Sequence, residues 1–529
     1  MRVTAEPAGA GHGPRGNAGG VTSGIGLISS NKNRGAALVH WRVALSDGPK
    51  AITQGIRMIR TSIATALTAA SVTLLAACGS GQKSSAAPVA DPFPSTYTVP
   101  TSGPVLIRGA TVLTGLDTRL DDTDVLLADG RIKAVGKALA AGDATVIEAK
   151  GRTLTPGIID VHSHLGVYPS PGVWATSDGN EATAPTTPDV WAEHSIWPQD
   201  PGFQTARAGG ITSMEILPGS ANLIGGRGVV VKNVPATTYQ AMLFPGAKRS
   251  VKMACGENPK RVYGRDGGRA PSTGMGNVAG YRAAFIKAAA YRAKWDAWNK
   301  EPNGTPPDRD LALDTLADVL RGNITVQVHC YRADQMVTML DVAKEFGFRI
   351  AAFHHAVEAY KIANELAEAQ TCGALWADWW GFKLEAWDAI RENIAFVDHA
   401  KAKAGPGCAI VHSDDPNGIQ RLNQEAAKAM AAGRRAGLTI PEEHAIAWLT
   451  RNPAKAIGVL DQVGTIEVGK QADVVLWSGN PFSVYTRADL VWIDGALRLD
   501  RAHPPATPDS DFLLGADVDD VAATAGDAP

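Results

Sequence analysis

Hydrophobic and polar positions change rhythm along the chain, and the changes mark out its elements. From residue 105 the apolar residues come in short strand-like runs at 105–108, 110–113, 124–127 and 129–132. An Asp129-Gly130 pair between two such runs is a hairpin signal. The same texture returns at 472–477, 490–493 and Asp494-Gly495, so the two ends are expected to pair into one small β-sandwich. Between about 156 and 435, apolar runs at 210–217, 251–255, 324–329, 349–355, 373–376 and 408–412 alternate with amphipathic stretches at 278–298, 311–321, 333–346, 359–369 and 419–435. Strand–helix alternation over this length predicts an α/β fold with a parallel sheet. Polar residues at the ends of these runs favour closure as a (β/α)8 barrel, a fold that carries its chemistry at the C-terminal strand ends. No internal repeat or heptad interrupts the pattern.

Composition narrows the class. The 529 residues carry 51 Lys+Arg against 53 Asp+Glu, a net charge of −2, with 45% hydrophobic residues. That balance excludes a disordered chain and lacks the basic excess of a nucleic-acid binder. Five cysteines are too few and too scattered for a disulfide scaffold, and Cys255, Cys330, Cys372 and Cys408 are expected as buried thiols.

The first hundred residues have a different character. Residues 1–57 are rich in Gly, Ala and Ser without periodicity and are expected to be a non-translated or disordered extension, with translation starting at Met58. Arg57-Met58-Ile59-Arg60 leads into the uncharged run 61–77 and the ending Leu75-Ala76-Ala77-Cys78. A basic flank, a short apolar stretch and small residues form an export signal, and this ending looks like the lipobox of bacterial lipoproteins. A spanning helix is the alternative, but it needs about 20 strongly apolar residues. The expected layout is therefore a signal at 58–78, a flexible tether at 79–100, the sandwich from 101–155 plus 460–505, the barrel at 156–459, and a disordered tail at 506–529. The protein would be exported to the bacterial periplasm and held to the membrane only through lipid on Cys78.

The chemistry begins at the first barrel strand, where Thr155-Pro156-Gly157 precedes Ile158-Ile159-Asp160-Val161-His162-Ser163-His164. Residues i and i+2 of a strand share a face, so both imidazoles can converge on one metal. With 12 histidines in the chain, chance alone supplies roughly 0.3 His-x-His pairs, so the pair needs context. Context comes from His329, from His354-His355 and from His412-Ser413-Asp414-Asp415, each ending an apolar run. Nitrogen and carboxylate ligands from several strand tips are what a catalytic zinc-type site requires. Arg332, three residues past His329, is a candidate clamp for a substrate carboxylate. The glycine-rich stretch 218–228 lacks Gly-Lys-[Ser/Thr] and is expected as a strand-end loop lining the pocket. Trp376, Trp379, Trp380 and Trp387 are either an aromatic wall or packing.

These residues resemble the amidohydrolase superfamily of metal-dependent hydrolases. The resemblance rests on residues 156–164, His329, His355 before Ala356-Val357-Glu358, Ser413-Asp414, and the tail from Asn452-Pro453-Ala454 to Gln471-Ala472-Asp473. It covers about 105 to 500 and is nearest the imidazolonepropionase-like and dipeptidase-like branch. It implies a distorted (β/α)8 TIM barrel with a β-sandwich from both ends of the mature chain. It also implies a divalent metal centre, two zinc ions with iron, manganese or cobalt left open. His162, His164 and Asp414 would hold one ion and His329 and His355 the other, with a carboxylated Lys252 between them. Glu257 is a rival to Lys252. His354 is a rival to His355, since neighbouring strand residues face opposite sides and only one should enter the barrel.

The implied activity is hydrolysis of an amide, peptide or cyclic amide C–N bond by a metal-activated hydroxide, with Asp414 shuttling the proton, and a dipeptidase is one form of it. The substrate would be a small molecule or short peptide rather than nucleic acid, and a homo-oligomer stays open. A mononuclear deaminase and a non-catalytic binding lipoprotein on the same barrel are the alternatives.

Overall fold

Residues 91–504, apart from residue 171, are described by the structure, a computed structural model. The signal at 58–78, the extension before it, the first part of the tether and the tail beyond 505 lie outside the described residues.

The chain begins with β1 (Val105–Leu113), β2 (Arg119–Ala128), β3 (Arg131–Gly136), β4 (Thr145–Glu148) and β5 (Thr153–Pro156). It then enters β6 (Ile158–Ser163), β7 (Ile211–Ile216), β8 (Ile224–Lys232), β9 (Ser250–Ala254), β10 (Thr325–Cys330), β11 (Ala352–His355) and β12 (Cys372–Leu375). A two-residue hairpin, β13 (Lys401–Ala402) and β14 (Gly405–Pro406), precedes β15 (Ala409–Val411). The chain closes with β16 (Val474–Trp477), β17 (Ala488–Ile493) and β18 (Ala496–Asp500).

Both ends do meet. One eight-stranded sheet runs β18-β17-β16-β5-β1-β2-β3, with β4 also on β1. The Asp-Gly turns act as the sequence suggests: Asp129 and Gly130 have φ of 51° and 72°, and Asp494 and Gly495 have 48° and 74°, the paired left-handed geometry of a tight hairpin. Leu154 of β5 lies in register with Leu476 of β16. Ile107, Val125, Ile132, Leu476 and Trp492 then bury one continuous apolar core drawn from both ends.

The second eight-stranded sheet, β15-β12-β11-β10-β9-β8-β7-β6, is a nearly closed barrel. Its long helices lie where apolar periodicity puts them, including Leu311–Arg321 and Ala333–Phe346. Asp310 caps the former by accepting from Leu313 N at 2.9 Å, and Gly322 ends it at φ 72°. No ladder joins β15 to β6; the seam is closed by Asp414 N donating to His162 O at 3.0 Å and by Ser413, whose N and Oγ both donate to the Asp160 carboxylate.

Three expectations are corrected. The barrel is not all-parallel, because β8 pairs antiparallel with both β7 and β9. The glycine-rich stretch expected as a loop is one only over 218–223; from Ile224 onward it is that strand, buried along its whole length. Its glycines are required by close packing: a Cβ on Gly226 would lie 2.2 Å from Val190 O, and one on Gly228 would lie 2.5 Å from Ser250 Oγ. The cysteines are not free thiols either. Cys255–Cys330 and Cys372–Cys408 are disulfides, with Cα atoms 5.1 and 4.6 Å apart on neighbouring strand positions.

Candidate metal centre and active site

The C-terminal strand ends of the barrel bring together residues from every part of the middle region. β6 supplies Asp160 and His162, β9 Lys252, β10 Gln327 and His329, and β11 His354 and His355, while His164, His412 and Asp414 stand just past strand ends. His162, His329, His354, His355 and His412 are all buried, whereas Asp414 keeps 28% of its side chain exposed and so reaches the barrel mouth.

Hydrogen-bond partners assign the imidazole protons. His164 Nδ1 lies 2.8 Å from the carbonyl of Leu217, so Nδ1 carries the proton and Nε2 presents its lone pair. His354 Nε2 lies 2.9 Å from Gln327 Oε1, which puts the proton on that nitrogen and leaves His354 Nδ1 as an acceptor. His162 Nδ1, 2.9 Å from His354 Nδ1, must then donate, and His162 Nε2 is left with its lone pair. His162 Nε2, which also faces the Lys252 amine at 3.1 Å, and His164 Nε2 lie 3.3 and 3.2 Å from the same oxygen, Asp414 Oδ1.

Burial disfavours the charged form of the five enclosed rings. Burial, reinforced by the Lys252 amine, holds the His162 imidazole well below its usual pKa. Burial does the same to His329, His354 and His355, and pushes His412 down to about 3. The Lys252 amine reaches His162 Nε2 alone, so the contacts of both Nε2 atoms with Asp414 Oδ1 set acceptor against acceptor, and this donor set fits a divalent metal. The Nδ1 atoms of His329, His355 and His412 are buried without a hydrogen-bond partner, with His355 Nδ1 3.8 Å from Asp414 Oδ2. Two overlapping groups, His162/His164/Asp414 and His162/His355/His412, each place ligand atoms within 4.8 Å of one another.

Lys252 Nζ lies 3.1 Å from His162 Nε2 and 3.1 Å from the carbonyl of Pro218. No carboxylate lies within ion-pair distance of it among the described residues, and burial pushes its pKa down to about 8. Beneath it, burial raises Asp160 and Glu215 to about 7.

Three expectations about individual residues need adjusting. Both His354 and His355 enter the barrel, their rings 4.7 and 4.8 Å from that of His162. The alternation fails because His355 and Ala356 have φ of 69° and 34°, leaving the extended region in which successive side chains alternate. His354 orients His162 from below, and His355 faces the mouth. Glu257 makes no side-chain contact with the histidines and lines an outer pocket with Lys260, Arg261 and Arg265. Arg332 is half exposed, and its guanidinium pairs with Asp334 at 2.9 Å.

Sequence reasoning gave no ligand role to His412 and overlooked Asn258, Tyr331 and Lys383. Tyr331 stacks on His355 with ring centroids 5.5 Å apart, and Trp376 approaches His355 to 4.3 Å and His412 to 5.4 Å. Asn258 Nδ2 lies 3.3 Å from His329 Nε2. His412 alone carried a legible signal, the end of an apolar run.

An α/β barrel with histidines and an aspartate gathered at its strand ends is the framework of a metal site, and comparison with known proteins places it. Residues 396–501 match the model of the amidohydrolase family. The chain is 37% identical to a crystal structure of an amidohydrolase from Thermotoga maritima MSB8, covering 75% of this chain and 100% of that one with a TM-score of 0.68. It is 34% identical over 461 residues to amidohydrolase tasK of Hapsidospora irregularis, covering 78% of this chain but 46% of that relative's length. Imidazolonepropionase of Mesorhizobium japonicum is 24% identical over 385 residues, 67% of this chain and 84% of the relative. The chain belongs to the amidohydrolase superfamily and is a hydrolase.

Proposed function

We propose that the chain hydrolyses a C–N bond, in an amide, short peptide or cyclic amide, at a two-ion divalent metal centre. The observation that carries this reading is the convergence of His162 Nε2, His164 Nε2 and Asp414 Oδ1 with no proton to share among them. His162, His164 and Asp414 would hold one ion and His329 and His355, with His412 beside them, the other. Lys252, whose amine faces His162, is the residue for a carboxylated bridge. Divalent ions held there supply an acidified water and a Lewis acid for the scissile carbonyl. The remaining work belongs to the chain. Asp414, the carboxylate of the first group and reached by solvent, accepts the proton and returns it to the leaving nitrogen. The Gln327–His354 pair fixes His162 in the tautomer that presents Nε2. Trp376 and Tyr331 wall the site and limit water.

Export and lipid anchoring through Cys78 remain part of the reading. Its support is the signal-like run before Cys78 together with the two disulfides, which persist in oxidising compartments. The direct test of the reaction is Asp414→Asn. Turnover across N-acyl amino acids, dipeptides and lactams should fall by about 10^2- to 10^4-fold with the fold intact. An Asp414→Asn protein that keeps most of its rate would place the proton carrier elsewhere.

A further inference from the structure

We propose that Lys383 is the cation that receives a substrate carboxylate beside the metal centre, so that the preferred substrates are acids such as N-acyl amino acids or peptides with a free C-terminus. This rests on the C–N hydrolase reading and names the substrate class for the same site.

Lys383 lies on the segment that follows β12. Its Nζ donates to Asn258 Oδ1 at 2.8 Å and to the Tyr331 hydroxyl at 3.4 Å, and it sits 4.8 Å from the centroid of the Tyr331 ring. Asn258 reaches His329 through its other amide atom, so a single amide group separates the ammonium from the centre. Asn258 is held in turn by Ser220 Oγ at 2.8 Å. All these partners are neutral. They aim the ammonium without cancelling its charge, and an ammonium has three donors of which these contacts occupy two.

Three other lysines differ. Lys232, Lys361 and Lys428 each touch two carboxylates, whereas Lys383 touches none among the described residues. The acid on its own segment, Glu385, accepts from the backbone N of Glu257 at 2.9 Å and acts on Lys383 only through space, beyond ion-pair distance. Burial lowers the Lys383 pKa, as expected of a cation short of an anionic partner. A carboxylate arriving from the mouth would satisfy the third donor and the charge together. Arg332, the clamp suggested by sequence, is already paired with Asp334.

The test uses the metal-loaded full chain and a matched panel of N-acetyl amino acids and their C-terminal carboxamides, with binding followed by calorimetry. Wild type should bind the acids about 10- to 100-fold tighter than the carboxamides, the scale of one charge-assisted hydrogen bond. Lys383→Met should abolish the preference and Lys383→Arg should retain most of it. A preference that survives Lys383→Met would belong to the metals and overturn the assignment, as would equal binding of acid and amide by wild type. Turnover of N-acyl and dipeptide substrates is read separately. If the preference is present and depends on Lys383 but no C–N bond is cleaved, the hydrolase reading falls while the anion site stands.

Discussion

Two lysines with almost no solvent exposure, Lys232 and Lys252, sit in opposite electrostatic settings. Lys232, where the barrel meets the terminal sheet, has its amine 3.1 Å from Asp473, 3.0 Å from Asp494 and 2.7 Å from Gln471 Oε1. Every donor is used, and Tyr97 completes the cluster by donating to Asp494. Lys252, in the barrel mouth, has only a carbonyl and an imidazole nitrogen, and around it are acceptors that face one another without protons. A buried cation with every donor matched joins parts of a fold; a buried amine without an anionic partner, beside acceptors that face one another, is kept for a ligand. The contrast separates structure from chemistry without reference to any motif.

Exchanging each lysine for methionine should break the comparison most visibly. Lys232→Met leaves two buried carboxylates without their cation and should cost about 3–5 kcal/mol of stability. Lys252→Met removes an amine with no carboxylate partner, so stability should change by about 1 kcal/mol or less. Its effect should fall instead on the bound metal and on turnover. Denaturant unfolding alongside metal analysis checks both, and equal destabilisation by the two variants would erase the distinction.

A smaller effect is expected one layer below. Gln327→Leu removes the acceptor that sets the His354 tautomer and through it His162. Metal affinity, read by chelator competition, should weaken about 10- to 100-fold. A residue that merely packs would leave that affinity unchanged.

The smallest effect concerns a paired group remote from the site. His444 lies 2.7 Å from both Asp117 and Asp398, which raise its pKa to about 8. A histidine whose pKa is raised on folding contributes its full stabilisation below about 6.5, the unfolded value, and loses it as pH climbs through the folded value. His444→Gln should therefore destabilise by about 1 kcal/mol at pH 6, allowing for solvent screening, and by little at pH 9. A pH-independent cost would mean that the pair acts through shape alone.

Much of this architecture is legible in the sequence because local signals and tertiary placement agree. The Asp-Gly turns, the amphipathic helices and the histidines that end apolar runs each carry their own periodicity or turn chemistry. What stays hidden depends on contacts distant in sequence. The strand Ile224–Lys232 carries three glycines, two of them, Gly226 and Gly228, where neighbouring chain comes close, and glycine read locally means a loop. His354 and His355 share the barrel interior only because the backbone turns left-handed at His355, and nothing in the two residue names announces it. The disulfides join cysteines 75 and 36 residues apart, adjacent only once the strands are aligned. Lys383 and Asn258 belong to no motif and become meaningful only when the segment bearing Lys383 is set beside His329.

The central claim is that the converging acceptors at the barrel mouth are a divalent metal centre, and metal content measures this most directly. Elemental analysis of protein purified without chelators should find about two divalent ions per chain, with His162→Asn reduced to one or none. Wild-type protein that holds no stoichiometric metal after incubation with zinc, manganese or cobalt, or a His162→Asn variant that holds as much as wild type, would contradict the account.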